Sequence, residues 1–329
     1  SLYGEAGDDT ITSGAGNDTL DGGLGDDTIN IDGAGNKIIN GSADTDILIV
    51  NYSGISSLSN FNISQSNNSL ILTYNTSDNN ITFSNIENLT VGSYAYTEDT
   101  NADTFWNATE YVLYMYDGGN TGSSDITSLS GFSASANLSV VGSSSADTMN
   151  LNIDRSSTFT GNWTIDLKEG NDTLNSSKLK DADSIDMGAG NDVISLMLTG
   201  SNGTPNIASA DLTKLDGGAG IDTLQFTESG SFTGTLTLAT AGATNFENII
   251  GTYGAETIQG DANSNFLDGY AGGNDTIYGY GGDDYLYGQY AVGVDYVTKA
   301  SDYPTPCGYD NDGFYSDDKL YGGSGNDQL

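Results

Sequence analysis

From Ser13 to Asn30 the chain reads SGAGNDTLDGGLGDDTIN: a glycine-rich turn, Asn-Asp or Asp-Asp, a Thr, then Leu or Ile, restarting after nine residues. No other feature constrains the fold as strongly, because each unit has room for one turn and one short strand. An internal repeat of this kind overrides the two-domain division that 329 residues would otherwise suggest. The acidic residues that precede Thr and an aliphatic residue fall at Asp9, Asp18 and Asp27; Lys37 stands in the next equivalent place, and Asp46 follows. The steps are 9, 9, 10 and 9 residues. Towards the other end the series is Glu256, Asn265, Asp275 and Asp284, and after an interruption Asp318 and Asp327.

Between these arrays the motif survives singly, as KEGNDTL with Asp172, GAGNDVI with Asp192 and GGAGIDTL with Asp222. Their intervals of 20 and 30 residues predict wider coils, each with one Gly/Asp turn. A longer module also recurs. NIENLTVG (85–92) resembles NFENIIG (245–251), and SVVGSSSADTM (139–149) resembles NIIGTYGAETI (248–258). Residues 51–145 otherwise alternate polar and apolar, as in NSLILTYN and NITFSNI, with frequent Asn, Ser and Gly breaks, which is strand-and-turn sequence. No segment sustains a helical period, so the chain is expected to be all-β.

Charge then decides what the turns hold. Forty-five acidic residues against eight basic ones give a net charge of −37, and there is no histidine. This excludes nucleic acid and anionic membrane surfaces as partners, since both need a basic patch. No apolar run approaches the ~18 residues of a membrane span, so membrane insertion is not expected. Two carboxylates ~4 Å apart repel by roughly 4 kcal/mol at an effective dielectric near 20, so an acidic array stays compact only with bound cations. Twenty Tyr and ten Phe argue against permanent disorder. In Gly22–Asn30 the glycines open backbone angles that let the turn present carbonyl oxygens inward, and Asp27 adds a carboxylate. Calcium takes six to eight such oxygens at ~2.3–2.6 Å. One turn supplies half a shell and a second, stacked on it, supplies the rest.

These units resemble the hemolysin-type calcium-binding (RTX) nonapeptide, Gly-Gly-x-Gly-x-Asp-x-aliphatic-x. The match is close at 13–30 and good at 4–12, 188–195, 217–225, 279–287 and 322–329. The resemblance implies a parallel β-roll or β-solenoid in which two nonapeptides complete one coil and several Ca2+ ions lie between turns on the same side. Candidate ligands are Asp9, Asp18, Asp27 and Asp46, the turn glycines Gly14, Gly16, Gly23 and Gly25, the single-copy Asp172, Asp192 and Asp222, and Glu256, Asn265, Asp275, Asp284, Asp318 and Asp327. Applied in register, it places Asp9, Asp27 and Asp46 on one side, and pairs Glu256 with Asp275 and Asn265 with Asp284. Asp18 would pair with Lys37, whose ammonium replaces a carboxylate, so that site is expected to be weakened or missing. The segments implied are a roll at 1–50, an irregular β-rich spacer at 51–145 (wider coils or a small sandwich), a wider-coil β-helix at 146–250, and a second roll at 251–329 with a Tyr-rich insertion at 288–316.

Other features have plainer readings. Asp103 and Asp147 lack an upstream glycine-rich turn and read as structural turn residues. Asp310-Asn-Asp312-Gly313 matches the start of an EF-hand loop without its downstream Glu. Tyr278, Tyr280, Tyr285, Tyr287 and Tyr290 flank inward Ile277 and Leu286 and should face outward, as an association surface or as cross-turn stacking. Cys307 is the single cysteine and cannot form an internal disulfide.

Without histidine there is no Ser-His-Asp triad, no His-Glu-x-x-His zinc site and no Cys-His pair. The expected role is therefore non-enzymatic: an extracellular, calcium-folded structural segment of a surface layer or matrix filament, self-associating into a homopolymer or lattice. An adhesin or binding module holding a cell-surface polysaccharide, or the non-catalytic part of a secreted hydrolase or toxin, is the alternative. A carboxylate-based polysaccharide enzyme ranks third. The resemblance also implies type I export of a chain that stays unfolded in the calcium-poor cytosol. Both ends fall within repeats, so the chain reads as a piece of a longer protein.

Overall fold

In the computed structural model the described residues are 1–66, 69–74, 79–99, 104–108, 111–115, 124–126, 137–151, 161–176, 179, 182–199, 206–207, 214–228, 232–288 and 318–329. Strands dominate, and among the described residues there is no α-helix, only the short 3-10 turns Leu58–Asn60 and Thr240–Gly242. The all-β parallel-coil expectation is met. Backbone contacts divide the chain into two units, Ser1–Met149 with Ile153–Gly170, and Asn150–Asn152 with Asn171–Leu329. This division is coarser than the four segments drawn from composition.

In the first unit successive strands alternate between two sheets. Leu2–Ala6, Asp18–Leu24, Lys37–Ala43 and Asn80–Ser84 stack in parallel in one. Thr10–Ser13, Thr28–Ile31, Ile47–Val50 and Asn88–Val91 stack in parallel in the other. Each Asp-x-aliphatic triplet on this sheet therefore lies over the one two repeats earlier, with Ile11, Ile29 and Leu48 in file. Period-2 alternation explains the packing: in Thr28–Ile31 and Ile47–Val50 every second residue is buried. The resulting core is a narrow column of aliphatic side chains, with Ile11, Ile29, Leu48 and Leu89 in one file and Ile31, Val50 and Val91 in a second on one sheet, and Leu20 and Ile39 on the other.

For residues 51–145 the alternatives are wider coils and a separate sandwich. Apart from Ser124–Ile126, which belongs to a third sheet, their described strands join the same two sheets. A hairpin of Asn62–Ser66 and Ser69–Thr73 pairs antiparallel onto Asn80–Ser84. A meander of Tyr94–Asp99, Thr104–Asn107 and Val112–Met115 pairs onto Asn88–Val91. Parallel stacking then resumes at Leu138–Val141 and Trp163–Asp166.

In the second unit Thr173–Ser176, Val193–Thr199, Thr223–Glu228, Asn248–Ile250, Phe266–Asp268 and Tyr285–Tyr287 form one parallel stack. A second contains Ser184–Asp186, Lys214–Asp216 and Ala243–Thr244. A third contains Thr235–Thr237, Thr257–Gln259, Thr276–Gly281 and Lys319–Ser324. Leu174, Ile194, Leu224, Ile249, Leu267 and Leu286 are buried in file along the first stack. Tyr290, Asp103, Cys307 and the Asp310–Gly313 loop start lie outside the described residues.

Candidate metal centre

Most turns end on an acidic residue at or just before the start of a strand, and parallel stacking sets these residues one above another. The Asp9 N–H donates to Asp27 Oδ1 at 2.8 Å, and the Asp27 N–H donates to Asp46 Oδ1 at 2.9 Å. Each carboxylate thus reaches back to the main chain of the preceding coil on its side. The residue before it does the reverse. The Asp26 N–H donates to Asp8 Oδ1 at 3.1 Å and the Thr45 N–H to Asp26 Oδ1 at 2.9 Å. Two side-chain ladders of opposite direction therefore stitch consecutive coils, one buried and one exposed, and the Asn-Asp and Asp-Asp pairs of the motif serve both.

The buried ladder leaves oxygens over. Asp9, Asp27, Asp46, Asp192, Asp222 and Asp284 each keep a buried Oδ2 with no hydrogen-bond partner. A buried carboxylate oxygen left unmatched is costly. At Gly22 an added Cβ would lie 2.3 Å from Asp27 Oδ2 and 2.7 Å from the Gly41 carbonyl oxygen, so glycine makes room for an acidic tip and a carbonyl to converge. Gly279 does the same for Asp284 Oδ2, at 2.1 Å, and the Gly322 carbonyl. Among the described residues no three His, Cys, Asp or Glu side chains gather. The oxygen supply is one carboxylate per coil plus turn carbonyls, which suits a hard cation such as calcium.

Electrostatics carries the same message. Burial raises the Asp46 carboxyl above its ordinary value, and the Asp27 and Glu87 charges add to the shift. Burial likewise raises Asp192 and Asp284, and pushes Asp222 up to about 6 with Asp192, Glu247 and Asp216 adding. Asp275 is driven up to about 9 by burial and by its contact with Glu256. A bound cation would hold these groups ionised.

The registers expected for the arrays are present. The Glu256 N–H donates to Asp275 Oδ1 at 2.8 Å, and the Asp275 N–H to Asp318 Oδ1 at 2.8 Å. On the other side the Asn265 N–H donates to Asp284 Oδ1 at 2.9 Å, and the Asp284 N–H to Asp327 Oδ1 at 3.2 Å. Five features depart from the sequence reading. The single-copy aspartates are not isolated: the Asp172 N–H reaches Asp192 Oδ1 at 2.7 Å, and the Asp192 N–H reaches Asp222 Oδ1 at 2.8 Å, across steps of 20 and 30 residues. Asn265 uses its amide inside the protein, accepting from the Asp261 N–H and donating to the Glu247 carbonyl. Gly14, Gly16 and Asp18 direct oxygens at the Lys37 ammonium instead of leaving them for a metal ion, at 2.6, 2.6 and 2.7 Å. Glu256 also accepts a hydrogen bond from the Thr252 hydroxyl. Gly23 and Gly25 serve close stacking, since a Cβ at Gly23 would sit 2.2 Å from the Glu5 carbonyl and one at Gly25 2.6 Å from that of Gly7.

Two residues escaped the sequence reading. The Asp46 N–H donates to Glu87 Oε2 at 2.8 Å, and the Asp222 N–H donates to Glu247 Oε2 at 2.8 Å. Each Glu closes an aspartate ladder, one per unit. Two residues earlier Asn85 and Asn245 take positive φ of 52° and 58°. Their amides donate to Asn40 Oδ1 and Asp216 Oδ1 at 2.8 and 2.7 Å. The shared Asn-x-Glu of NIENLTVG and NFENIIG was the available signal. Asp147, read as a turn residue, is one: it accepts from the Ser143 N–H and hydroxyl at 2.8 and 3.0 Å.

The family model for the RTX calcium-binding nonapeptide repeat matches four copies, at residues 1–29, 250–272, 271–289 and 312–329. The chain therefore carries RTX calcium-binding repeats, and the Asp172–Asp192–Asp222–Glu247 ladder lies outside the matched residues. No curated protein matches the chain. Among solved structures, the crystal structure of extracellular lipase LipA from Serratia marcescens is similar at 18% identity with a TM-score of 0.28, over 96% of this chain and 36% of that one. The chain thus spans little more than a third of that protein's length.

Proposed function

We propose that this chain is a calcium-folded β-solenoid segment that works outside the cell as a structural element and assembles with copies of itself. The observation that carries the reading is the file of buried carboxylate oxygens, Asp9, Asp27, Asp46, Asp192, Asp222 and Asp284, with no partner inside the protein. Asp9, Asp27 and Asp46, with turn carbonyls, would hold ions in the first unit. Asp192, Asp222, Asp275, Asp284, Asp318 and Asp327 would do so in the second. Bound calcium supplies counter-charge to a narrow aliphatic core, so metal binding and folding are one event. The same dependence suits export of an unfolded chain by a type I system, followed by folding where calcium is abundant. RTX repeats occur in secreted bacterial proteins, which supports the extracellular setting.

The rival is a binding module that folds with calcium but stays monomeric. One surface feature bears on both readings. Tyr278 stacks on Tyr321 at 4.9 Å between ring centroids and on Tyr280 at 5.8 Å, and Tyr280 and Tyr321 are about half exposed. Flat exposed rings of this kind fit a second chain or the face of a sugar. Sedimentation velocity with far-ultraviolet circular dichroism, in chelator and then in calcium, separates the cases. Calcium-driven β-structure with reversible large assemblies supports the structural role. Folding to a monomer supports the binding module, with a polysaccharide as the first ligand class to test. No response to calcium overturns the metal reading.

A further inference from the structure

Lys37 occupies an aspartate position of the repeat, yet its side chain is fully buried. The ammonium has three protons, and all three are matched: Gly14 O at 2.6 Å, Gly16 O at 2.6 Å and Asp18 Oδ2 at 2.7 Å. The Ser13 hydroxyl donates to the same Asp18 oxygen. Two turn carbonyls and one carboxylate are the half-shell that a glycine-rich turn offers to a cation. The Lys37 stem starts one full coil later, with Asp18 and Lys37 in register on adjacent strands. It carries the charge back into the earlier turn.

The surroundings support a cation site over an incidental ion pair. A charged lysine taken fully out of water is costly unless every proton is met, and here every proton is.

We infer that the Gly14–Gly16–Asp18 cage is a cation site whose resident is the chain's own primary ammonium, tethered through Lys37, and that this junction of the first roll closes without metal. The cage is thereby a latent calcium site: an aspartate at position 37 would restore the second carboxylate and admit a divalent ion. The inference rests on the calcium reading only for the identity of that ion.

The test uses the full chain and two variants, Lys37→Asp and Lys37→Met. Calcium stoichiometry is read by native mass spectrometry, and lysine acetylation rates are read in chelator and in calcium. The expected results are one additional bound calcium in Lys37→Asp, and acetylation of Lys37 in the wild type at least about tenfold slower than at exposed Lys168 and Lys214, because access requires local opening. Lys37→Met should bind the wild-type number of ions and require more calcium to fold. Unchanged stoichiometry in a folded Lys37→Asp protein overturns the latent site, and rapid acetylation of Lys37 in calcium overturns the tethered cation. If the wild type binds no calcium at all, the calcium reading fails, and Lys37 protection then decides the cage by itself. If Lys37→Asp does not fold, the acetylation contrast and Lys37→Met decide.

Discussion

Replacing Asp222 with Asn should change stability in opposite directions at low and high calcium. Asp222 is fully buried, its Oδ1 accepts from the Asp192 N–H at 2.8 Å, and its Oδ2 has no partner. Asparagine retains the Oδ1 acceptor and removes the charge. Burial, with the Asp192 and Glu247 charges, lifts the carboxyl from 3.8 to about 6, which corresponds to about 3 kcal/mol against the ionised form. The folded state holds this proton better than the unfolded one. Without metal the cost is therefore absent below about pH 4 and grows to its full size as pH rises past about 6. At neutral pH and low calcium the variant should gain up to about 3 kcal/mol. At calcium a thousandfold above its dissociation constant, loss of one site forfeits about 4.1 kcal/mol, which exceeds that gain by about 1 kcal/mol. Urea unfolding followed by circular dichroism, repeated from chelator to saturating calcium, should give wild-type and variant curves that cross. Parallel curves, or a variant weaker at every calcium concentration, would refute the claim that this oxygen awaits a cation.

Acid should strengthen the metal-free protein. Asp275 and Asp268 titrate in the folded state at about 9 and about 7, both lifted chiefly by burial. Stability in chelator should then rise as pH falls from about 9 towards 4, whereas in calcium the same acidification should weaken it by displacing metal; pH-resolved thermal melts read both slopes. Gly23→Ala forces a side chain into φ +109° with its Cβ 2.2 Å from the Glu5 carbonyl and should cost about 1–3 kcal/mol or more. Gly14→Ala meets no atom within 4 Å and should stay within about 0.5 kcal/mol, so equal melting temperatures for the two variants would contradict the stacking geometry. Glu87→Ala removes the acceptor of the Asp46 N–H at a cost of about 1–3 kcal/mol, and hydrogen exchange should accelerate at that amide more than at Ile29.

The nine-residue period determined the class of fold, and its resemblance to the RTX nonapeptide implied the pairing of Asp9 with Asp27 and Asp46. These follow from local chemistry: glycine sets the turn, Thr and an aliphatic residue set the strand, and fixed spacing sets the register. Tertiary structure decided what depends on alignment between coils of unequal length. Steps of 20 and 30 residues hide that Asp172, Asp192 and Asp222 share one ladder, because coils of different girth can return to the same strand register. The closing roles of Glu87 and Glu247 were likewise invisible, since a glutamate is one methylene longer than the aspartates it follows and reaches the Asp46 and Asp222 amides only from a turn bent by Asn85 or Asn245. At Lys37 the sequence showed a reversed charge and implied a weakened site. The fold alone placed that charge: a flexible four-carbon stem, buried between coils, sets the ammonium among Gly14, Gly16 and Asp18 of the preceding turn.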